Sequence, residues 1–340
     1  MIRKPLIIAG PCSAESEEQV LSTARELSGI ADIFRAGLWK PRTYPGGFEG
    51  VGAAGLGWLS RVREECGFRV ATEVAGARHV EACLSSGIDV LWIGARTTAN
   101  PFLVQEIADS LEGTDIPVFV KNPVNPDLGL WIGAVERLER AGVKDIGLVF
   151  RGFSTTEAIP YRNAPLWQLA VEMRTRLPEL PFLVDPSHLG GERSFIAEIS
   201  QRAMDLGFDG LMVEAHHDPS AALSDASQQI TPSSLRELLS ALRLRTADKD
   251  DGEFHEGMAA YRAQIDVIDE QILRLLASRM DVSRQIGEYK RTHGVAIVQT
   301  SRWETVLSSM IEKGRALGLP EDTVRRIFAE IHDASVRTQE

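Results

Sequence analysis

The chain has 340 residues and a formal net charge of −11 at pH 7, with 44% hydrophobic and 25% charged residues. This length predicts about two domains of ordinary globular composition. The acidic balance argues against a nucleic-acid-binding protein and a polybasic membrane contact, because both need a basic surface. Three cysteines in the whole chain exclude a disulfide framework, so we expect a reducing, cytoplasmic location. No apolar run approaches the ~18 residues of a membrane span.

Up to about residue 245, short apolar runs alternate with segments of helical periodicity. The runs are rich in β-branched and aromatic residues, which is typical of parallel strands covered on both faces. They predict strands at 5–10, 33–39, 68–74, 90–94, 118–121, 146–151, 182–185 and 210–214. Such an alternation favours a (β/α)8 TIM barrel over residues 1–245. The alternative, a doubly wound open sheet, normally carries a glycine-rich fingerprint after its first strand, and Gly10-Pro11-Cys12-Ser13 is not one.

The pattern changes after residue 245. Residues 246–255 are polar and charged, which indicates a linker, and residues 256–340 predict a small all-α domain. We expect its helices at about 257–292, 301–317 and 320–339. His293-Gly294 provides a stop for the first of them, and Pro320 provides a start for the last.

Ionisable side chains occur at the end of each predicted strand, and the carboxyl ends of barrel strands form one rim. One set combines a thiol, an imidazole and carboxylates, which suits a borderline divalent cation such as manganese, iron, cobalt or zinc. This set is Cys12, His188, Glu214 and Asp225. The second set is cationic and predicts phosphate and carboxylate ligands. It comprises Arg35, Lys40, Arg42, Arg96, Lys121 and Arg151. Taken singly, each residue has another explanation: Cys12 could be a small buried side chain, the segment with His188 a turn, and Arg96 or Arg151 a member of a surface ion pair. Their shared position at one rim favours a binding site.

The first predicted helix of the tail carries cations inside its apolar stripe. With Arg262 at 0° on a helical wheel, the apolar stripe is centred at about 260° and includes Arg279 and Lys290. Cations in a buried stripe need an anionic partner. Arg262 lies about 100° away, so within one chain it does not easily face the same site. The alternative is that Arg279 and Lys290 snorkel at a helix–helix seam.

Several motifs occur in an order that resembles the type I β 3-deoxy-D-arabino-heptulosonate-7-phosphate (DAHP) synthases. They are Gly10-Pro11-Cys12-Ser13, Lys40-Pro41-Arg42-Thr43, Gly94-Ala95-Arg96, Asp185-Pro186-Ser187-His188 and Val213-Glu214-Ala215-His216. The resemblance covers roughly residues 5–245. It implies condensation of phosphoenolpyruvate with erythrose 4-phosphate and release of phosphate. The Lys-Pro-Arg-Thr motif favours this activity over the alternative on the same barrel, a 3-deoxy-octulosonate-8-phosphate synthase.

The resemblance also implies roles for the residues of the rim. Arg96, Lys121 and Arg151 would hold phosphoenolpyruvate with help from Arg35, and Arg42 and Thr43 would grip the sugar phosphate. Cys12, His188, Glu214 and Asp225 would hold the metal. We predict Lys40 as the general acid, with a pKa lowered by the neighbouring cations. Glu73 is either a partner of Lys40 or a member of a structural ion pair.

The tail resembles the AroQ-class chorismate mutases over about residues 256–340. The matching positions are Arg262, Ile265-Asp266, Leu275-Leu276, Arg279, Ile286-Gly287, Lys290, Ser335 and Gln339. The resemblance implies that Arg279, Lys290 and Arg302 bind the carboxylates and ether oxygen of chorismate and that Ser335 and Gln339 complete the pocket. Arg279, Lys290 and Gln339 are the predicted catalytic residues. Arg262 would reach into the partner's site of an intertwined homodimer. Gln299 and Trp303 stand where some members carry acidic residues.

Together the two halves predict a bifunctional shikimate-pathway enzyme whose tail also mediates feedback by chorismate or prephenate. The alternative is a synthase whose tail only dimerises and senses such an effector.

Overall fold

The computed structural model describes residues 4–40, 47–245, 252–297 and 300–339. The chain divides into two compact units, Met1–Ala247 and Asp248–Glu340. In the described part of the chain, no helix combines the length and the apolar composition needed to cross a membrane.

The first unit is a closed barrel of parallel strands in the order β1 to β8, which confirms the predicted architecture. The strands are β1 Leu6–Gly10, β2 Ile33–Arg35, β3 Arg69–Val74, β4 Val90–Ile93, β5 Val118–Lys121, β6 Ile146–Phe150, β7 Phe182–Val184 and β8 Gly210–Glu214. The barrel closes where β1 pairs with β8, in a register that sets Gly10 opposite Glu214. This register brings the loop after β1 beside the end of β8.

Half of the strands, namely β2, β4, β6 and β7, end earlier than the hydrophobic pattern predicts. The largest difference is β2, predicted over 33–39 and observed as Ile33–Arg35. Ala36 N still donates to Ala71 O of β3 over 3.1 Å, and the chain then turns to the loop after β1, since Gly37 N donates to Cys12 O over 3.2 Å. The apolar residues that suggested a longer strand therefore line a loop beside the rim.

Helices surround the barrel and follow its strands. They are α1 Glu17–Leu27, α2 Ala54–Cys66, α3 Ala77–Ser85, α4 Ala95–Thr98, α5 Pro101–Ser110, α6 Leu128–Arg140, α7 Trp167–Arg176, α8 Pro186–Gly190, α9 Ile196–Asp205 and α10 Pro232–Ala241. Asp185 caps α8, because its side chain accepts from the backbone N of His188 over 3.0 Å. The cap fixes the short turn that carries His188 past the end of β7.

The core has two layers. The larger lies between the strands and the surrounding helices, and the smaller fills the barrel interior. Trp92 is fully buried in the interior layer. The guanidinium carbon of Arg35 lies 4.8 Å from its ring centroid and the ammonium of Lys121 lies 5.9 Å away. The indole face therefore supports cations at the carboxyl end of the barrel.

The second unit consists of α11 Gly252–Thr292, α12 Thr300–Ala316 and α13 Glu321–Gln339. Its first helix starts before the predicted position, so residues 252–255 of the predicted linker are helical; residues 246–251 lie outside the described residues. The apolar stripe of α11, expected to be buried, is not. Ile265 is 56% exposed and Leu275 is 71% exposed.

Candidate active sites

Three of the four predicted metal ligands lie together at the barrel rim. Ligand atoms of Cys12, Glu214 and Asp225 lie within 4.8 Å of one another, and no other group of this kind is found in the described part of the chain. The Cys12 thiol donates to Asp225 Oδ2 over 3.2 Å. Cys12 and Glu214 are fully buried.

His188 faces this group from the seventh strand. Its Nε2 lies 3.7 Å from Glu214 Oε1, while its Nδ1 lies 2.8 Å from Asp185 Oδ2. An Nδ1–H donated to the Asp185 carboxylate leaves the lone pair of Nε2 toward Glu214, which is the usual arrangement of a metal-binding histidine. His188 is thus brought to the cluster, although it lies outside the tightest group.

Loop contacts hold these ligands in place. The backbone N of Cys12 donates to Gln229 Oε1 over 3.0 Å, and Gln228 Nε2 donates to Glu214 Oε2 over 2.6 Å. Arg162 Nη1 lies 3.0 Å from Asp225 Oδ1. Sequence reasoning missed these partners, because they lie in loops and no motif spacing marks them. The Asp185-Pro186-Ser187-His188 motif contains Asp185, but the sequence did not predict that Asp185 orients His188.

The buried atoms fit a metal ion. Glu214 Oε1 is buried and has no hydrogen-bond partner among the residues that the structure describes. Burial raises the pKa of the Cys12 thiol to about 12, with a further contribution from Glu214. Burial also acts to raise the pKa of the Asp225 carboxyl, but His188 and Arg162 outweigh burial and hold this pKa well below its ordinary value. A thiol, an imidazole and carboxylates are the donors of a borderline divalent cation.

Lys40 lies against the cluster, with its Nζ 3.1 Å from Cys12 Sγ. Burial acts to lower its pKa, but the attraction of Cys12 and Glu214 outweighs burial and raises the pKa above the ordinary value. The predicted lowering by neighbouring cations was therefore wrong, because the nearest groups are acidic. Glu73 instead accepts from Trp92 Nε1 over 3.2 Å and contributes to the raised pKa of Lys40 from a distance.

Two predicted anion-binding cations already have carboxylate partners. Arg35 Nη2 lies 3.3 Å from Glu214 Oε1, and Lys121 Nζ lies 2.6 Å from Asp185 Oδ2. The rim therefore needs fewer bound anions than its cations alone suggest. Arg35 Nε and Nη1 are buried without a hydrogen-bond partner in the described part of the chain.

Arg151 differs from these two cations. It is buried, and its Nη1 donates to Asn163 Oδ1 over 2.8 Å. Within the described ranges, no carboxylate lies within ion-pair distance of it. Burial lowers the pKa of Arg151 to about 10; Asp185 opposes this shift, and Arg162 and Arg96 add to it. A guanidinium matches the oxygens of a phosphate or carboxylate group. Arg96 is exposed on α4, and Arg42 and Thr43 lie outside the described residues.

The helical unit contains a second site. One cavity of about 360 Å³ is lined by every predicted pocket residue except Arg262. These residues are Arg279, Lys290, Arg302, Ser335 and Gln339. Arg279 Nη1 donates to Ser335 Oγ, and Lys290 Nζ lies 3.5 Å from Gln339 Oε1. Arg262 is exposed on α11 and does not line the cavity, as its offset on the helical wheel predicts.

Sequence reasoning missed one aromatic contact in this cavity. Trp303 and His332 both line it, and their rings stack with centroids 4.1 Å apart. Gln299 lies outside the described residues. The cavity is therefore cationic on its α11 side and aromatic where Trp303 meets α13.

Comparison with known proteins gives two family matches. The profile described as the DAHP synthetase I family matches residues 3–248, and the profile described as chorismate mutase type II matches residues 261–340. A phospho-2-dehydro-3-deoxyheptonate aldolase of Thermotoga maritima is 32% identical over 238 residues, which cover 70% of this chain and 68% of that protein. A 2-dehydro-3-deoxyphosphooctonate aldolase of Wolinella succinogenes is 29% identical and covers 70% of this chain and 97% of its own length.

Solved structures give the same picture of the barrel. A crystal structure of the Thermotoga maritima DAHP synthase has a TM-score of 0.62 and 33% identity, and the match covers 69% of this chain and 67% of that one. A truncated form of the synthase from the same organism has a TM-score of 0.59 and 30% identity, with coverage of 69% and 84%.

Proposed function

Because the chain belongs to the DAHP synthetase I family and carries a chorismate mutase type II domain, it is a bifunctional shikimate-pathway enzyme, and we propose how its residues divide the work. The barrel condenses phosphoenolpyruvate with erythrose 4-phosphate to DAHP and phosphate. The helical domain rearranges chorismate to prephenate.

We propose that Cys12, His188, Glu214 and Asp225 hold a divalent cation, which is manganese, iron, cobalt or zinc. Glu214 Oε1 accepts no hydrogen bond in the described part of the chain, and this oxygen together with the mixed sulfur, nitrogen and oxygen donors supports this set. A bound metal supplies Lewis-acid polarisation of a carbonyl oxygen. Asp185 supports the set from outside, since it orients His188 and neutralises Lys121.

Phosphoenolpyruvate is held by Arg96, Lys121 and Arg151, with Arg35 assisting. The observation that carries this role is the buried Arg151 guanidinium, which has no carboxylate partner within the described ranges yet stays charged at neutral pH. An arginine fork matches the oxygens of phosphate or carboxylate. Arg42 and Thr43 grip the sugar phosphate, as the family resemblance implies.

Lys40 delivers the proton to the oxygen of the former aldehyde. Its raised pKa keeps the ammonium protonated at neutral pH, and its contact with Cys12 holds Nζ beside the metal ligands. A general acid must be protonated and within hydrogen-bond reach of its target.

In the helical domain, Arg279, Lys290 and Arg302 bind the carboxylates and ether oxygen of chorismate. Ser335 and Gln339 complete the pocket, and Arg262 enters from the partner subunit of a homodimer. The exposed apolar stripe of α11 supports this dimer, because isolated proteins rarely leave such a surface open. Catalysis needs a compressed conformer and positive charge near the breaking C–O bond, and no nucleophile.

The enzyme acts in the cytoplasm, a location supported by its free cysteines Cys12, Cys66 and Cys83. Chorismate or prephenate bound in the helical cavity inhibits the barrel. Prephenate added to the synthase assay should lower the rate in the wild type and not in Arg279→Ala; equal inhibition of both proteins would reject this coupling.

The barrel assignment is tested by product analysis together with one substitution. Phosphoenolpyruvate with erythrose 4-phosphate should give DAHP, whereas arabinose 5-phosphate should give no eight-carbon product. Arg151→Gln should lower kcat/KM for phosphoenolpyruvate by at least about 30-fold, since a buried charge contact is worth about 2 kcal/mol or more. Arg140→Gln is the control, because Arg140 is 82% exposed on α6. An Arg151→Gln enzyme with wild-type kcat/KM would refute the assignment.

A further inference from the structure

Arg162 connects both carboxylates of the proposed metal set. Its Nη1 donates to Asp225 Oδ1 over 3.0 Å and to Gln228 Oε1 over 2.7 Å. The fully buried Gln228 side chain passes the contact on, since its Nε2 donates to Glu214 Oε2 over 2.6 Å. One guanidinium nitrogen therefore acts on Asp225 directly and on Glu214 through Gln228.

These contacts decide which carboxylate oxygens remain for a ligand. Arg162 takes Asp225 Oδ1, and Asp225 Oδ2 faces Cys12 Sγ at 3.2 Å. Gln228 donates to Glu214 Oε2, and Glu214 Oε1 accepts no hydrogen bond in the described part of the chain, although it faces Arg35 Nη2 at 3.3 Å. Each carboxylate is thus left with one oxygen toward the cluster.

Asp225 needs such support because of its backbone. Its φ is 48°, and within the described ranges it is the only residue other than glycine with positive φ. The left-handed conformation is unfavourable for a residue other than glycine, although aspartate tolerates it better than most. A side chain held from outside the loop keeps this conformation in place.

Arg162 itself is delivered by a fixed segment. Its backbone N donates to Gly190 O over 3.1 Å, and the next residue, Asn163, donates to Leu189 O over 3.1 Å. Asn163 also uses its Nδ2 to donate to His188 O over 2.7 Å. A Cβ at Gly191 would lie 2.5 Å from Arg162 Cβ, so this close approach requires glycine. The segment that carries Arg162 is therefore bound to the turn that carries His188.

We propose that Arg162 is a positioning residue of the metal centre, which fixes the oxygens that Asp225 and Glu214 present to the cation. The inference rests on the metal set of the proposed function. It adds a residue from the loop after β6, and it predicts an effect on metal affinity that is separate from any effect on substrate.

The test is calorimetric titration of the metal-free full-length protein with Mn²⁺. Arg162→Met should weaken Mn²⁺ binding by about tenfold, since outer partners of metal ligands typically contribute 10- to 100-fold. Arg162→Lys should stay within about threefold of the wild type, because an ammonium can donate to both acceptors. Arg193→Met is the matched control and should bind Mn²⁺ as the wild type does. Arg193 holds the same loop through the backbone oxygen of Ala226, over 2.9 Å, and touches no ligand side chain within the described ranges.

An Arg162→Met variant that binds Mn²⁺ with wild-type affinity would overturn the inference. Equal weakening of Mn²⁺ binding in Arg193→Met would also overturn it, because it would reveal general disorder of the loop. A lysine variant as weak as the methionine variant would overturn it as well. A wild-type protein that binds none of Mn²⁺, Co²⁺ and Zn²⁺, or Cys12→Ala that binds the ion unchanged, would overturn the proposed ligand set instead; a wild type that binds only Co²⁺ or Zn²⁺ is titrated with that ion in the same set of variants. Thermal melting checks folding, and Arg162→Gln takes the place of a methionine variant that does not fold.

Discussion

A buried thiol beside carboxylates would couple the proposed metal binding to protons. Burial raises the pKa of Cys12 to about 12, so the metal-free protein carries a protonated thiol across the neutral range. A metal ligand must be the thiolate, so binding has to displace this proton. A higher pH therefore weakens the competition by the proton and strengthens metal binding.

We therefore predict that metal binding releases about one proton from Cys12, with affinity rising by up to about tenfold per pH unit above neutrality. Calorimetry in buffers of different ionisation enthalpy measures the released proton. Cys83 provides the control, since it is also buried, with a pKa raised to about 12 by burial, but lies outside the cluster. Cys83→Ala should release the proton normally, and Cys12→Ala should not. Equal release in both variants would exclude Cys12 as the ligand.

At the scale of single residues, residue type and position in the sequence predicted the candidate metal ligands, whereas the cations near Lys40 in sequence did not predict its pKa. A cysteine, a histidine and a carboxylate near strand ends, with a second carboxylate in the loop after β8, were enough to nominate the candidate ligands, because parallel strands in a barrel present their carboxyl ends to one rim. The direction of the Lys40 pKa was not predictable from its cationic neighbours in sequence. It depends on Cys12 and Glu214, which only the folded barrel brings near.

Close contact between helices shapes the second site. Gly287 on α11 is buried against the end of α13, and a Cβ added there would lie 2.8 Å from Gln339 Cα and 2.9 Å from Gln339 O. Because these are backbone atoms, an added methyl must push α13 away rather than rotate a side chain. Gln339 lines the cavity, so this displacement would move it.

We predict that Gly287→Ala lowers the mutase kcat/KM by about tenfold or more and destabilises the helical unit by about 1–3 kcal/mol, the usual cost of overpacking. Coupled assays of prephenate formation and thermal melts measure both effects. Gly257→Ala, on the same helix, is the control: a Cβ there meets nothing within 4 Å, so the alanine should leave activity intact and stabilise the helix by up to about 1 kcal/mol. Unchanged mutase activity in Gly287→Ala would contradict the close-packing argument.

Helical periodicity predicted these three helices with small errors at their ends, yet it misjudged burial along α11. The stripe through Ile265 and Leu275 has the spacing of a core-facing surface, but both side chains are exposed in the single chain. Periodicity reports that a face avoids water, and it does not say whether the cover comes from the same chain or another. Loop contacts such as those of Arg162 and Gln228 have no period, so no sequence pattern identified them.

At the scale of the whole molecule, the exposed stripe and the position of Arg262 lead to the same expectation. Arg262 is exposed on α11 and does not line the cavity that holds Arg279. In a two-fold dimer, the same surface of each subunit contacts the other, so each site can take Arg262 from its partner. Each site would then combine residues from two chains.

Shared sites predict complementation between two inactive variants. Arg262→Ala and Arg279→Ala homodimers should both lose most mutase activity, since each lacks one cation in every site. A mixed dimer carries both defects in one site and neither in the other. Random assembly makes about half of the dimers mixed, each with one intact site, so co-expression should restore about a quarter of wild-type activity per subunit.

Co-expression of Arg279→Ala with Lys290→Ala is the control and should restore nothing, because both residues line the cavity of one chain. A mixture of Arg262→Ala and Arg279→Ala that stays inactive, with mixed dimers demonstrated by differential tags, would show that each site belongs to a single chain.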